Sequence, residues 1–477
     1  MHRLLPLLPL AAAASSSSSW SQVSITQADN GQQPPPIMSA ITGAFANGTQ
    51  FLIFGGCTSS CCFAPIDAQW TLDLTQDLTQ GTWSKRIPHS GSLTAMSAVP
   101  SARFGAASTV DSTKDILYAF GGQDSSQAFL GDLYKFEART QEWTEIKPSI
   151  FSETSTLSFQ RPPAPRAAAS LSVVRGGVGG GREGGRGQEK HLVLIGGFGR
   201  QGAKEDEVWG LKLSGTGRQM ENGWVRLVPS SSTDVREVEE GKEEGTPSRS
   251  TSRGLPARWH HVAVPVKIPN ITPSPSSSSP SFPCEEGRGQ KDALVIVGGS
   301  DATGQDHNEA LLVEIDWEEG TYTWRVLAAE TEEKEQDERS RPPVRHGHLA
   351  LHPPYPLHSS FFHIFGGLNT TSDTLPSSFL SDTFRFDLPP VEAWTEEDLP
   401  LSPSVPGPRA YAGVGHGERH TLVVGGFAGF TGDTDDRLLN DVWVFRHGEA
   451  VEEGVKEGGL NGGSEEVARE DRRQHLR

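Results

Sequence analysis

Basic residues are in short supply. Against 60 Asp and Glu there are 42 Lys and Arg in 477 residues, a formal net charge of −18. That balance excludes a general attraction to nucleic acid or to anionic lipid. Much of the acid sits in blocks at 237–244, 330–338 and 449–470, which read as solvated, disordered chain. The Arg-bearing run 175–190 is short and Gly-rich, so it reads as a flexible loop. Long hydrophobic runs are missing too. Residues 4–14 form an apolar run of 11, and a bilayer span needs about 20. Tyrosine (5), methionine (4) and cysteine (4) are scarce, and the apolar fraction is 35%. With 53 Gly and 33 Pro, this composition suits many short strands joined by turns and unfolded insertions better than a compact α/β enzyme.

The N-terminus has the layout of a secretory signal peptide. Arg3 is followed by the apolar run, and Ala12, Ala13 and Ala14 offer a small-residue cleavage site. Residues 1–19 are therefore expected to be a targeting segment. The serine run 15–19 and the lack of acid leave an organellar transit peptide as the alternative. Three Asn-x-Thr sequons, at Asn47, Asn270 and Asn369, agree with secretion. The four cysteines, Cys57, Cys61, Cys62 and Cys284, are an even set that permits two disulfides in an oxidising compartment. A Cys-x3-Cys-Cys run with no nearby His is a poor zinc pattern.

What the chain has in abundance is self-similarity. Six apolar runs end in a Gly pair: Gly55-Gly56, Gly121-Gly122, Gly196-Gly197, Gly298-Gly299, Gly366-Gly367 and Gly425-Gly426. Such runs read as buried strands, and the Gly pair lets the backbone turn where a side chain would clash. After each pair come large apolar residues at period two: Trp70/Leu72, Tyr134/Phe136, Trp209/Leu211, Val313/Ile315, Phe384/Phe386 and Trp443/Phe445. A Trp then centres a third element in five units, at Trp83, Trp143, Trp224, Trp324 and Trp394. Arg103, Arg166, Arg258, Arg345 and Arg409, each closely preceded by Pro, open the strand before the next Gly pair. In the first unit Ile37-Met38-Ser39-Ala40 stands where this Arg motif belongs.

The order Pro-Arg-x-x-His, apolar-Gly-Gly, aromatic, Trp resembles the kelch repeat, and the resemblance covers about residues 20–447. It implies an all-β fold, a six-bladed β-propeller with four antiparallel strands per blade. The last unit lacks its Trp, and Trp20 stands alone upstream of the first. A strand at Trp20 is thus expected to complete the last blade and remove the exposed sheet edge. Gly-pair spacings of 66, 75, 102, 68 and 59 residues exceed a kelch unit of about 50. The excess falls in insertions at 176–190, 230–254, 273–291 and 328–341, read as mobile loops. Residues 448–477 read as a charged disordered tail.

Kelch-type propellers bind ligands on the face where the loops before the innermost strand and after the Gly pair emerge. On that face Arg103, Arg166, Arg258, Arg345 and Arg409 either line the channel mouth and fork onto a partner's carboxylates, or hydrogen-bond within their own blades as scaffold. His261, His346 and His348, on adjacent inner strands, are candidates for a metal site, against the plainer reading that His belongs to the repeat pattern. Asp433, Asp435 and Asp436, and Asp301 with Asp306, are oxygen-ligand candidates without the spacing of a calcium loop. The run from Gly179 to Gly184 matches G-x-G-x-x-G but leads into a strand, so it lacks the helix N-terminus a pyrophosphate needs. The Tyr-Cys, Tyr and two-His copper set of galactose-oxidase-like enzymes does not assemble from five tyrosines, and the Glu-x3-Asp-x3-His motif of specifier-like proteins does not occur.

These readings converge on a non-catalytic, monomeric, secreted or lumenal scaffold, without a cofactor, that recognises a protein or glycan partner. The alternatives are a metal-dependent enzyme of galactose-oxidase-like or specifier-like type and an intracellular adaptor.

Overall fold

In a computed structural model of the chain, the described residues are 18–26, 32–60, 62–86, 99–147, 162–176, 189–203, 207–213, 223–230, 254–269, 290–327, 341–354, 360–370, 378–397, 399, 405–431 and 435–448. Among them the protein is all-β and propeller-like, with a 3-10 turn at Ala46–Gly48. The insertions read from composition, and the tail beyond 448, lie almost wholly outside the described residues.

One unit shows why the repeat folds as it does. Strands Ala107–Asp111, Ile116–Phe120, Leu133–Glu137 and Glu142–Ile146 pair antiparallel in chain order. Their register stacks Leu117, Phe136 and Trp143 in one row, each at most 1% exposed. Period-two alternation puts these side chains on one face, where the Phe136 and Trp143 rings meet at 5.1 Å. The same row recurs as Phe51–Leu72–Trp83, as Leu294–Val313–Trp324 and as Phe362–Phe386–Trp394. Trp324 departs from the burial of Trp83 and Trp143. It is half-buried, and Tyr322, two residues earlier on the same face, is the fully buried ring of that strand.

Similar antiparallel units follow along the chain. The third and fourth share an eight-stranded sheet, because Val228 and Pro229 pair parallel with Thr321 and Tyr322. The N-terminal segment does the equivalent at the other end. Strand Ser19–Gln22 pairs antiparallel with Asp435–Arg446, placing Trp20 opposite Phe445. Strand Ser24–Thr26 then runs parallel to Gln80–Arg86 of the first unit. Trp20 is 7% exposed and its ring lies 4.9 Å from both Phe365 and Phe445.

Neighbouring units dock backbone to backbone at the Gly pairs. The N–H of Gly56, Gly122, Gly197, Gly299 and Gly367 donates to the carbonyl of Arg103, Arg166, Arg258, Arg345 and Arg409 of the following unit, at 2.8–2.9 Å. Gly426 donates in the same way to Ile37 of the first unit, at 2.9 Å. The first glycine of each pair has positive φ, for example +71° at Gly55 and +65° at Gly425. A Cβ there would meet the neighbouring carbonyl oxygen at 2.5 Å for Gly55 and 2.7 Å for Gly425. Sterics of both kinds therefore require glycine.

A second set of contacts closes on itself. Ser39, Gly105, Ala168, His260, Gly347 and Tyr411 all have positive φ, between 53° and 64°. Each N–H donates to the carbonyl of the one before it, and Ser39 N–H donates to Tyr411 C=O, all at 2.8–2.9 Å. Six backbone hydrogen bonds thus form a ring at one end of the innermost strands.

The packing around Trp20 makes a prediction for equilibrium unfolding. Trp20→Ala removes a buried ring and should lower stability by about 3–5 kcal/mol. Trp324→Ala, at a half-buried site, should cost less than half as much in the same denaturant titration.

Candidate functional site

The residues just after each Arg position bridge to the residue just after the Gly pair of the same unit. The pairs are Met38–Cys57, Phe104–Gln123, Ala167–Phe198, Trp259–Ser300, His346–Leu368 and Ala410–Phe427. These bridges put both sets of loops on one face, at the hydrogen-bonded ring.

The five Arg side chains lie beneath that face, at most 4% exposed. Arg103 donates to Gly121 C=O at 3.1 Å and forks onto Asp132 at 2.6 and 2.9 Å. Arg345 does the same with Gly366 and Asp382, and Arg409 with Gly425 and Asp441. Arg166 pairs with Gly196 and Glu207, and Arg258 with Gly298 and Glu309. Each guanidinium is thus spent on its own unit, which is the scaffold alternative of the two sequence readings. The acids stand two residues before Tyr134, Trp209, Leu311, Phe384 and Trp443, a regularity legible in the sequence. The first unit lacks both partners. Ile37 stands for the Arg and Ala68 for the acid, and both belong to one apolar cluster. An apolar pair replaces an ion pair at little cost, whereas a lone buried charge would be expensive.

Above the Args, side chains of the last three units meet at the ring. His260 lies 4.9 Å from Tyr411 and 6.0 Å from His346, centroid to centroid, and Trp259 lies 6.1 Å from His346. His346 Nδ1 is 2.8 Å from Asp306 Oδ1. Asp306 is 1% exposed and also accepts from Ser300 Oγ at 2.5 Å, Thr370 N at 2.9 Å and Thr370 Oγ1 at 2.8 Å. Burial alone would raise its carboxyl, but the bonds from His346, Ser300 and Thr370 override it and hold it at about 2. The carboxylate accepts a hydrogen bond from His346 Nδ1–H and fixes the orientation of the ring. Burial, helped by His346 and His261, pushes His260 down to about 3, so it stays neutral. Burial and Asp306 raise Tyr411 above its ordinary value. Trp259 continues through Phe198, at 5.5 Å, to Phe129, at 5.8 Å. The result is an arc of rings across the units, in which Phe198 is 40% exposed. Composition gave no signal for Asp306 acting through His346, because 40 residues separate them.

The remaining sequence candidates scatter. His261 is buried, with Nε2 2.9 Å from Ser170 Oγ. Its Cβ packs on Gly299, and the Cβ of His348 packs on Gly367. These two histidines wedge between Gly pairs, and burial holds both below their ordinary value, His261 at about 3. Among the described residues no group of three His, Cys, Asp or Glu converges as a metal site. Asp301 caps its own turn through Thr303 and Gln305. Asp433, Cys61, Cys284 and Asn270 lie outside the described residues, and of Asp435 only the strand position is described. Cys57 and Cys62 form a disulfide, with Cα atoms 5.1 Å apart. It braces the first unit's loop beside Phe63, which is 70% exposed. Asn47 is exposed in the Ala46–Gly48 turn, and Asn369 donates its N–H to Ser378 C=O.

Residues 105–149 match the Kelch motif. The kelch match begins at ring residue Gly105 and passes through strand Glu142–Ile146, one complete unit. No curated protein matches the chain.

The Arg345–Asp382 pair is open to a double-mutant cycle. Asp382→Leu alone leaves Arg345 buried and unpaired, and should destabilise by about 3–5 kcal/mol. Adding Arg345→Met should restore most of that loss. Unfolding midpoints of the three proteins check it.

Proposed function

We propose that the chain is a closed six-bladed kelch-type propeller and acts as a non-catalytic binding scaffold for a protein or glycan partner. The observation that carries the reading is the arc of rings Phe129, Phe198, Trp259 and Tyr411, with His260 and His346 among them, on one face of a rigid frame. Two cyclic sets of backbone hydrogen bonds support the ring and its six units. Closure rests on the pairing of Ser19–Gln22 with Asp435–Arg446. Preformed aromatic surface with a few fixed polar atoms is what recognition of a partner uses, since little conformational entropy is lost on binding.

The chemistry of the face favours a neutral contact surface. The five guanidiniums are buried on their own acids and offer no fork to a partner's carboxylates. His260 stays uncharged, and Asp306 is saturated by hydrogen bonds. The partner is therefore expected to bring apolar or CH-rich groups onto the rings, with hydroxyl or amide groups reaching the His346 ring. The Cys57–Cys62 disulfide supports an oxidising compartment, hence a secreted or lumenal protein over an intracellular adaptor. Among the described residues no helix is long and apolar enough to cross a membrane.

Affinity capture with the mature chain tests the reading. Phe198→Ser with Trp259→Ala should abolish capture of a partner that the wild type retains. Arg325→Ala, at an exposed ion pair on an outer strand, should leave capture intact. Stoichiometric copper or iron in the purified protein would instead support the metal-dependent alternative.

A further inference from the structure

Five histidines gather between the last two units, away from the ring. His352 follows inner strand Leu349–Leu351, and its ring stacks on His416 of inner strand Gly413–Gly417, 3.9 Å between centroids and 27° between planes. The Thr421 hydroxyl, fully buried, joins them. It lies 3.3 Å from His416 Nδ1 and 3.1 Å from His447 Nε2, and 3.4 Å from His352 C=O. His447 lies 6.4 Å from the buried ring of His363. His420 reaches across to the first unit, 3.2 Å from Gly48 C=O. The cluster therefore spans the fifth, sixth and first units, beside the strand that receives Trp20.

Few charges face it. From the fifth unit Glu397 lies 3.3 Å from His363, with Arg385 and Asp387 near the same ring. From the sixth, Arg446 acts on His420 while binding Ser21 Oγ, and Glu418 and Arg419 sit exposed on the turn before His420. From the first unit the Gly48 carbonyl meets His420, and Arg446 binds the Asp77 carbonyl. One carboxylate, Glu397, pairs directly with one of the five rings. Adding protons to the stacked pair and to His447 would place like charges together with no counter-ion among the described residues beside them.

We propose that this cluster is an acid-operated latch: neutral, it holds the last unit to its neighbours, and charged, it lets that seam open while the rest of the ring stays folded. This goes beyond the binding reading and does not depend on it.

Burial is the largest cause pulling all five below the ordinary histidine value, His352 to about 4 and His447 to about 3. Histidines depressed on folding bind fewer protons folded than unfolded. Their contribution is complete above about 6.5 and is lost as pH falls from there toward about 3–4.

Hydrogen exchange of the full chain at pH 7.5 and pH 5, corrected for intrinsic rates, tests the latch. Protection should fall at least ~10-fold in 349–352, 413–421 and 19–22, a drop of about 1.4 kcal/mol in opening free energy. Strands Ala107–Asp111 and Ser170–Gly176 should keep theirs. Uniform loss, or loss beginning in those two strands, overturns the proposal. As a second arm, His416→Asn with His447→Gln should reduce the fall in thermal midpoint between pH 7.5 and pH 5, to which buried His260, His261 and His348 also contribute. His191→Gln, at a histidine stacked on Trp317 outside the cluster, should leave most of the fall in place. An undiminished fall in the double variant also overturns it.

Discussion

The structure depends on how closely one unit's backbone approaches the next at each Gly pair. The second glycine donates to a carbonyl of the following unit, and the first must have no side chain because that same carbonyl occupies the space. Each hydrogen bond is worth about 0.5–1.5 kcal/mol net. Their value lies in geometry, because a unit that buries only one row of side chains needs neighbours on both sides. The contact sets the pitch between units, and the pitch lets the six N–H groups from Ser39 to Tyr411 meet in a closed cycle.

The Arg–acid pairs fasten this contact from within. An Arg carbonyl receives the glycine N–H of the preceding unit, while its guanidinium grips its own unit's glycine carbonyl and acid. The backbone that the neighbour must find is thereby held in place before docking. The first unit reaches the same geometry with Ile37 and Ala68, so the charge pair is one solution and not a requirement. Its loss as a pair, never singly, is what burial energetics would select.

Much of the fold was legible in the residues. Gly pairs, alternating aromatics and the outer Trp mark each unit locally, and Trp20 announced its partner strand by being surplus. Period two cannot choose between Tyr322 and Trp324, two residues apart on one face, as the buried ring of their strand. The site was much less legible. The Arg positions were legible, and both readings of their direction stood, since the acids that receive them lie 29 to 51 residues downstream. Asp306, His346 and Tyr411 meet only because the ring brings three units to one axis. The histidine cluster likewise combines strand ends far apart in the chain, and no local pattern marks it.

Equilibrium unfolding of Gly425→Ala beside Gly196→Ala and Gly407→Ala tests the central claim most directly. Gly425 faces the Ile37 carbonyl of the first unit as Gly196 faces Arg258, while nothing crowds Gly407. If docking at the Gly pair holds every seam, including the one between the last and first units, the first two variants each lose at least about 2 kcal/mol and by similar amounts. Gly407→Ala then stays within about 0.5 kcal/mol of wild type. A Gly425→Ala protein as stable as wild type, with Gly196→Ala impaired, would contradict the account, because the last seam would then not be docked as the others are.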